Sequence, residues 1–216
     1  IFNDKEADEL IFLDITATVE RKPPPIKIIA EIASECFMPL AYGGGIRSME
    51  DIRQIFAVGV EKVCINTHAV AEPEFIRHAA DIFGSQSIVA SIDVKKSLFG
   101  KYEVYTHGGT VNSRLDPVEH AVRMETLGAG ELFLNSIDRD GTQQGFDIDL
   151  IRRVAAAVRI PVVACGGAGA VDHLRQAVKD GGASAVSAGS IFVFHGKHRA
   201  VLISYPDQDE LKKAFT

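Results

Sequence analysis

The sequence predicts an α/β protein, a parallel (β/α)8 barrel of the TIM type. Three observations predict this fold: apolar strands alternate with amphipathic helices, the chain repeats itself once, and candidate functional groups follow many different strands. Strand–helix alternation at this spacing is typical of βα units in a parallel sheet. We therefore expect one barrel domain over residues 1–216, with its active-site mouth at the C-terminal ends of the strands.

Seven segments have the near-continuous apolar character of parallel strands covered on both faces. Between Lys95 and Asp116 the connection is too long for a simple βα loop, and its alternating part, Lys101–Thr106, predicts a small hairpin over the mouth. The predicted strands are Leu10–Asp14, Pro39–Tyr42, Lys62–Asn66, Ile88–Asp93, Glu131–Asn135, Pro161–Cys165 and Ala185–Ala188. The predicted helices are Met49–Val58, Pro73–Phe83, Pro117–Leu127, Asp149–Val158 and Val171–Asp180.

The two halves of the chain resemble each other. Leu10–Asp14 leads to the glycines 43–45, and roughly 120 residues later Leu132–Ser136 leads to Gly166 and Gly167, which indicates two half-barrel copies. Seven strands are one fewer than a closed barrel needs. We therefore expect the first strand and helix to be missing from this chain, with an open doubly wound sheet as the structural alternative.

Bulk composition excludes several classes of protein. The 216 residues carry a formal net charge of -6 with a pI near 5.6, which argues against non-specific nucleic-acid binding. No apolar run reaches the roughly 18 residues of a membrane span. The three cysteines form no CxxC pair, so we expect reduced thiols and a cytoplasmic protein. Neither the histidines nor the cysteines have metal-site spacing, so no metal and no cofactor is expected.

Two glycine turns predict phosphate sites. Gly43-Gly44-Gly45 and Gly166-Gly167 each follow a strand and precede a helix, where backbone N–H groups form a cradle for an anion. Glycine matters there because a Cβ would keep the anion away. Asn66-Thr67 and Gly189-Ser190 follow the next strands and could add donors. Tight turns with no ligand are the alternative; two sites would suit a ligand with phosphates at both ends.

Acidic residues end two strands and populate one loop. Asp14 and Asp93 end strands at the predicted mouth, where carboxylates can do general acid–base work. Catalysis is the favoured role for Asp93. For Asp14, catalysis and a structural role, as a helix cap or as an ion-pair partner of Lys95 or Arg139, are equally open. Asp138 and Asp140 belong to the polar loop 136–142, which is suited to positioning a ligand. Asp140 and Gly141 are expected to help bind the second phosphate.

Charged residues recur at strand starts. Glu9, Lys62 and Glu131 are expected to share one layer at the closed end of the barrel, because alternate strands supply residues to the same layer. A stabilising ring of ion pairs is one interpretation, and a gated passage through the barrel is the other.

Over nearly its whole length the chain resembles the cyclase subunit of imidazole glycerol phosphate synthase. The resemblance implies a barrel with two phosphate sites and a glutaminase partner on the bottom face that sends ammonia through the barrel. Ammonia would attack a bisphosphorylated ribulosyl intermediate, giving imidazole glycerol phosphate and aminoimidazole carboxamide ribonucleotide. The matching stretches are 8–16, 43–46, 65–67, 83–86, 136–142 and 165–169.

The resemblance also implies roles for individual residues. Asp93 matches the family's second catalytic aspartate, the expected general acid, and Asp14 matches an acid beside the site. Glu9, Lys62 and Glu131 match three members of a charged ammonia gate. The residues that match one phosphate site are Gly45, Asn66 and Thr67, and those that match the other are Asp140, Gly141, Gly167, Gly189 and Ser190.

Two departures from this family pattern leave the reaction open. The first-strand aspartate and the gate arginine of the family are not in this sequence. Segments 99–107 and 192–203 resemble cyclase-like proteins of surface-polysaccharide gene clusters, which help to add an acetamidino group to a nucleotide-linked sugar. Three hypotheses follow: the histidine-pathway cyclase, the acetamidino-sugar enzyme, and a barrel that only binds and activates a glutaminase.

Overall fold

A curled, mostly parallel sheet with helices around it forms the fold, as seen in a computed structural model that describes residues 3, 5–97, 99–195 and 200–215. All seven predicted parallel strands are present, and the TIM-barrel-like α/β class is confirmed. The strands of this sheet are β1 (Leu10–Leu13), β2 (Leu40–Gly43), β3 (Lys62–Ile65), β4 (Ile88–Lys96), β5 (Tyr102–Thr106), β6 (Val111–Asn112), β7 (Glu131–Ser136), β8 (Val162–Cys165) and β9 (Ala185–Val186).

The order of the parallel strands distinguishes the barrel from its alternative. The strands follow one another as β1-β2-β3-β4-β7-β8-β9, in chain order. A doubly wound sheet reverses its order at a switch point, and this sheet does not. Within the described residues, β1 and β9 are the two outer strands of the path and do not pair with each other.

Helices connect the strands, and several begin at side-chain caps. Ser48 and Asp51 form a reciprocal capping box at α2, and Asp116 caps α5 ahead of Pro117. The helices are α1 (Ile26–Glu35), α2 (Met49–Ala57), α3 (Thr67–Ala71), α4 (Glu74–Phe83), α5 (Pro117–Thr126), α6 (Ile148–Ala155), α7 (Val171–Lys179), α8 (Ser190–Val193) and α9 (Gln208–Phe215). A 3₁₀ turn spans Ser85–Ser87, and a small hairpin pairs β10 (Phe194–His195) with β11 (Ala200–Val201).

The two faces of the sheet pack differently. Outward-facing residues such as Val63, Ile92 and Leu132 join the helices in one large core. Inward-facing residues form a separate small cluster, because successive side chains of a strand point to opposite faces. The members of this inner cluster are Ala41, Cys64, Val89, Phe133 and Val163, with Ile11 and Cys165 packed against them.

The predicted hairpin over the mouth is present as β5 and β6. β5 pairs antiparallel with the long end of β4, so that Asp93 lies opposite Tyr105. Tyr102 anchors the hairpin: its hydroxyl donates to Asp147 at 2.8 Å, and Lys96 Nζ lies 4.6 Å from its ring centroid. The hairpin is therefore fixed both to β4 and to the start of α6.

Candidate active site

Three strands repeat one pattern on the inner face. Reading from the N-terminal end of β1, β3 and β7, a charged residue comes first, an apolar residue second, and the mouth residue third. This i, i+2, i+4 spacing places each set on one face of its strand. The three sets are Glu9, Ile11 and Leu13; Lys62, Cys64 and Asn66; and Glu131, Phe133 and Asn135. The barrel interior therefore has a charged layer, an apolar layer and a mouth layer.

Asp93 lies at the mouth between two amide side chains. Asn66 Nδ2 donates to Asp93 Oδ2 at 2.7 Å, and Asn135 Nδ2 donates to Asp93 Oδ1 at 3.0 Å. Asn135 is the residue directly opposite Asp93 in the parallel pairing of β4 with β7. The sequence predicted Asn66 as a phosphate ligand, whereas the structure directs its amide to Asp93. Asn135 was not identified from the sequence.

Burial raises the pKa of the Asp93 carboxyl above its ordinary value. Hydrogen bonds from Asn135 and Asn66 act in the opposite direction, as does the charge of Lys95, while the charge of Asp140 adds to the rise. A carboxyl of this kind retains its proton at a higher pH than an exposed aspartate does. Asp93 is therefore suited to proton donation.

The second predicted acid, Asp14, organises the turn that follows β1. Its Oδ1 accepts from the Thr16 backbone N–H at 3.0 Å, the Thr16 hydroxyl at 2.9 Å and the Ala17 N–H at 3.0 Å. Partial burial raises the pKa of Asp14, but these hydrogen bonds and the charge of Lys22 outweigh it and lower the pKa overall. Asp14 is thus held as a carboxylate.

The first glycine turn borders a cavity of about 340 Å³. Gly45 and Thr67 both line it, and a Cβ on Gly45 would lie 2.5 Å from the Lys22 carbonyl oxygen. Gly45 also has a positive φ of 68°, so the turn requires glycine. The cavity is further lined by Arg21, Arg47, His68 and His107, and no acidic residue is among the described residues that line it. This lining suits an anion, and the sequence predicted only its glycine and threonine.

Thr67 connects this cavity to the hairpin. Its Oγ1 accepts from the backbone N–H of His107 at 3.1 Å, and His107 has a positive φ of 53°. Arg47 is fixed from the other side, because its Nη2 donates to the Arg21 carbonyl oxygen at 2.9 Å. Three loops thus hold the basic groups around one space.

The second glycine turn is packed more closely. The Gly145 N–H donates to the Gly167 carbonyl at 2.8 Å, so the loop after β7 lies directly on this turn. Asp138 Oδ2 accepts from the Lys96 backbone N–H at 2.7 Å, which ties the same loop to β4. Asp140 is exposed, and a Cβ on Gly141 or on Gly189 would meet open space.

Ser190 opens α8 beside this turn. Its backbone carbonyl accepts from Gln143 Nε2 at 3.2 Å, which brings the loop after β7 to the end of the last parallel strand. Ser190, Gly167 and Asp140 remain predictions as phosphate ligands. Of the segment 192–203, residues 196–199 lie outside the described residues.

The charged layer is an ion cluster at the opposite end of the barrel. Lys62 Nζ lies 2.8 Å from Glu9 Oε2 and 2.9 Å from Glu131 Oε2. Burial alone would lower the pKa of Lys62, but both carboxylates outweigh it and raise the pKa. Glu9 Oε1 is buried without a hydrogen-bond partner among the described residues. The three residues therefore meet as predicted; their role as a gate is untested.

Other chemistry is limited in the part of the chain that the structure describes. It contains no group of three His, Cys, Asp or Glu side chains that could hold a metal ion. All three cysteines are free; burial raises the pKa of the Cys165 thiol, which adjoins the mouth, to about 12. None of the described helices has the length and apolar character of a membrane span.

Comparison with known proteins agrees with this architecture. The sequence model of the family described as histidine biosynthesis protein matches residues 1–199. The chain belongs to the histidine biosynthesis protein family. The resemblance to cyclase subunits within this family is confirmed by a relative from Pseudomonas aeruginosa, provisionally named imidazole glycerol phosphate synthase subunit hisF2. It is 54% identical over 211 residues, which are 98% of this chain and 84% of the relative.

Proposed function

We propose that this member of the histidine biosynthesis protein family is the ammonia-using synthase subunit of a glutamine amidotransferase. Its proposed reaction forms imidazole glycerol phosphate and aminoimidazole carboxamide ribonucleotide from a bisphosphorylated ribulosyl intermediate. The observation that carries the proposal is the partly buried Asp93 carboxyl at the mouth, on the same inner face as the Glu9–Lys62–Glu131 ion cluster at the other end. The name of the Pseudomonas relative supports this class of reaction.

Asp93 acts in this proposal as the general acid. Its raised pKa favours the protonated carboxyl, which can donate to an oxygen or nitrogen that leaves as the ring closes. The cavity at Gly45 and Thr67 holds one phosphate, with Arg47 beside it. The turn at Gly167 and Ser190, with Asp140 and Gly141, binds the other. Asp14 keeps the loop after β1 in place through Thr16 and Ala17.

The proposed partner is a glutaminase that docks at the charged end of the barrel. Lys62 carries a proton there, because two carboxylates raise its pKa, and Glu9 and Glu131 hold it across the opening. Ammonia released by the partner would enter beside this cluster and leave at Asp93. The three residues thereby act as the gate.

A second reaction is favoured by one observation, the lining of the first cavity. Arg21 and Arg47 supply two positive charges, His68 and His107 add further polar groups, and a volume of about 340 Å³ admits more than a phosphate group. These features support a nucleotide-linked sugar as substrate, to which the enzyme would add an acetamidino group. Segment 99–107, which carries this resemblance, includes His107.

The deciding experiment supplies ammonium salts to the purified chain with each substrate in turn. Formation of imidazole glycerol phosphate from the ribulosyl intermediate supports the histidine-pathway reaction. Turnover of the N-acetylated nucleotide-linked sugar alone supports the second reaction. Turnover of neither, with a glutaminase still activated by the chain, would leave only the non-catalytic barrel and overturn the proposal.

A further inference from the structure

The two amides beside Asp93 are not equivalent. Asn66 Nδ2 has a second acceptor, the Tyr105 carbonyl oxygen at 3.2 Å, which fixes the orientation of this amide. Among the described residues, the Asn135 side chain makes one hydrogen bond, to Asp93. Rotation of the Asn135 amide therefore breaks no other contact, whereas rotation of Asn66 would break the contact with β5.

Like the side-chain oxygen of Asn66, the Asn135 oxygen is buried and has no hydrogen-bond partner within the described part of the chain. It faces Gly166, where an ideal Cβ would lie 3.0 Å from Asn135 Oδ1 and 2.5 Å from the Ser136 carbonyl oxygen. The Ser136 carbonyl oxygen already accepts from the Arg139 and Asp140 N–H groups, at 3.1 and 2.9 Å. Because Asn135 Oδ1 has no partner among the described residues, reversal of this amide gives up only the bond from Nδ2 to Asp93.

Asp93 needs different partners in its two protonation states. The carboxylate is an acceptor only, and Asn135 Nδ2 satisfies it as observed. The protonated carboxyl has an O–H donor, and a buried donor without an acceptor is costly. After a half-turn of its amide, Asn135 presents Oδ1 to Asp93 and accepts that hydrogen bond.

We propose that Asn135 is the positioning residue for Asp93, holding the carboxylate with its Nδ2–H and the protonated carboxyl with its Oδ1. The amide reverses when the proton arrives or leaves, and Asn66 keeps the carboxyl in place throughout. The catalytic role of Asn135 rests on the proposed function, because it requires that Asp93, as the general acid, loses and regains a proton during turnover. The reversal itself is a property of the free protein.

Other titratable groups also lie near Asp93 and contribute to its electrostatic environment. Lys95 follows it on β4, Asp140 lies in the loop after β7, and Cys165 ends β8. Tyr105 pairs with Asp93 from β5 through the backbone. Lys95 Nζ donates to the Gly109 carbonyl at 2.6 Å. Within the described part of the chain, none of these groups accepts a hydrogen bond from the Asp93 carboxyl.

The test is a pH titration of the full chain by NMR, with labelled Asp carboxyl carbons and Asn side-chain nitrogens. We expect the Asn135 NH₂ resonances to move with the same midpoint as the Asp93 carboxyl, while the Asn66 resonances stay in their bonded position. Asp93→Asn should abolish the movement. An Asn135 amide that is unaffected while Asp93 titrates overturns the proposal.

Substitutions extend the test to the position of the midpoint. Asn135→Leu removes both hydrogen bonds, and we expect the Asp93 midpoint to rise by about one pH unit because the bond to the charged form is the stronger. Asn112→Leu, on β6, is the control and should leave the midpoint unchanged. If Asn135→Leu does not fold, Asn135→Thr retains a donor and an acceptor and should give a smaller rise; an unchanged midpoint in the folded variant refutes the role.

The two proposals fail in different ways. A normal Asn135 titration with no turnover of any tested substrate refutes the proposed function alone. Normal ammonia-dependent turnover in Asn135→Leu, with the wild-type pH profile, refutes the positioning role and leaves the proposed function intact.

Discussion

Asn66 Nδ2 lies 2.7 Å from Asp93 Oδ2 and thereby joins the C-terminal ends of β3 and β4 at the mouth of the barrel. This contact places an amide of the predicted phosphate turn on the predicted acid. Asn66 precedes Thr67, which lines the basic cavity. The anion cavity and the candidate acid are therefore connected through two consecutive residues, Asn66 and Thr67.

The first prediction concerns Asp93 as the general acid. Asp93→Asn removes the proton but retains the shape, and we expect ammonia-dependent turnover to fall by roughly 100-fold or more. Steady-state assays with ammonium chloride measure the effect, and exposed Asp149→Asn is the control. Because the acid must be protonated, wild-type turnover should decline as pH rises through the raised pKa of Asp93. Near-normal turnover in Asp93→Asn would falsify the assignment.

The second prediction concerns the basic cavity. Arg47→Gln removes a charge that faces the anion, and we expect the KM for the phosphorylated substrate to rise roughly 10-fold with little change in kcat. Inorganic phosphate binding should weaken in parallel when measured by calorimetry. Arg53→Gln is the matched control, because Arg53 pairs with Glu50 on the exposed face of α2. Equal phosphate affinity in both variants would exclude Arg47 from the anion site.

The third prediction concerns the ion cluster. Lys62→Met leaves Glu9 and Glu131 without their shared cation, and we expect a loss of about 2 kcal/mol in the free energy of unfolding, since the cluster is partly solvated. Urea titrations of this variant and of exposed Lys101→Met provide the comparison. Ammonium-driven turnover should be retained while glutamine-driven turnover falls. A parallel loss of both activities would argue against a gate.

The fourth prediction concerns a buried histidine outside the site. His120 is 3% exposed, its Nε2 has no partner among the described residues, and burial lowers its pKa to about 4. In the unfolded chain the His120 imidazole takes up a proton near pH 6.5, whereas in the folded protein it does so only near pH 4. The contribution of neutral, buried His120 to stability is therefore complete above pH 6.5 and is lost as the pH falls toward 4. Between pH 7 and pH 4, we expect the free energy of unfolding of His120→Leu to fall less than that of the wild type, by on the order of 2–3 kcal/mol.

The control for the histidine experiment is His78→Leu, because His78 lies exposed on α4. Unfolding free energies at several pH values between 4 and 7 provide the measurement, an interval taken from the two pKa values of His120. If the free energy of unfolding falls equally in His120→Leu and in the wild type as the pH is lowered, the lowered pKa of His120 is contradicted.

The strands were predictable because each is a short apolar run between polar boundaries. Glu9, Lys62 and Glu131 were predictable for a related reason: each begins such a run, so one register places all three at the same end. The helix α1 was not predicted, because it directly follows Pro23-Pro24-Pro25 and lacks a side-chain cap. One helix was expected over Pro73–Phe83, and the structure adds the separate short helix α3 before it.

The contacts of the site were less predictable than its strands. Asn135 meets Asp93 only because β7 pairs with β4 across the intervening hairpin, which no local pattern specifies. Its one available signal was its place at a strand end, four residues after Glu131. Arg21, Arg47 and His107 come from three loops, and two of these residues have a positive φ. Such cavities depend on loop conformation, which the apolar periodicity does not encode.

The apolar layer between the two polar ends has a consequence for what can cross the barrel. Ile11 and Phe133 offer no hydrogen bonds and the Cys64 thiol only weak ones, so a small molecule that passes them must leave its hydration shell behind. For an isolated ion this step is prohibitive, whereas a neutral molecule loses only its few hydrogen bonds. Under the proposed function, this layer would admit ammonia and exclude ammonium, so a proton carried by the entering nitrogen would have to remain behind at the charged end.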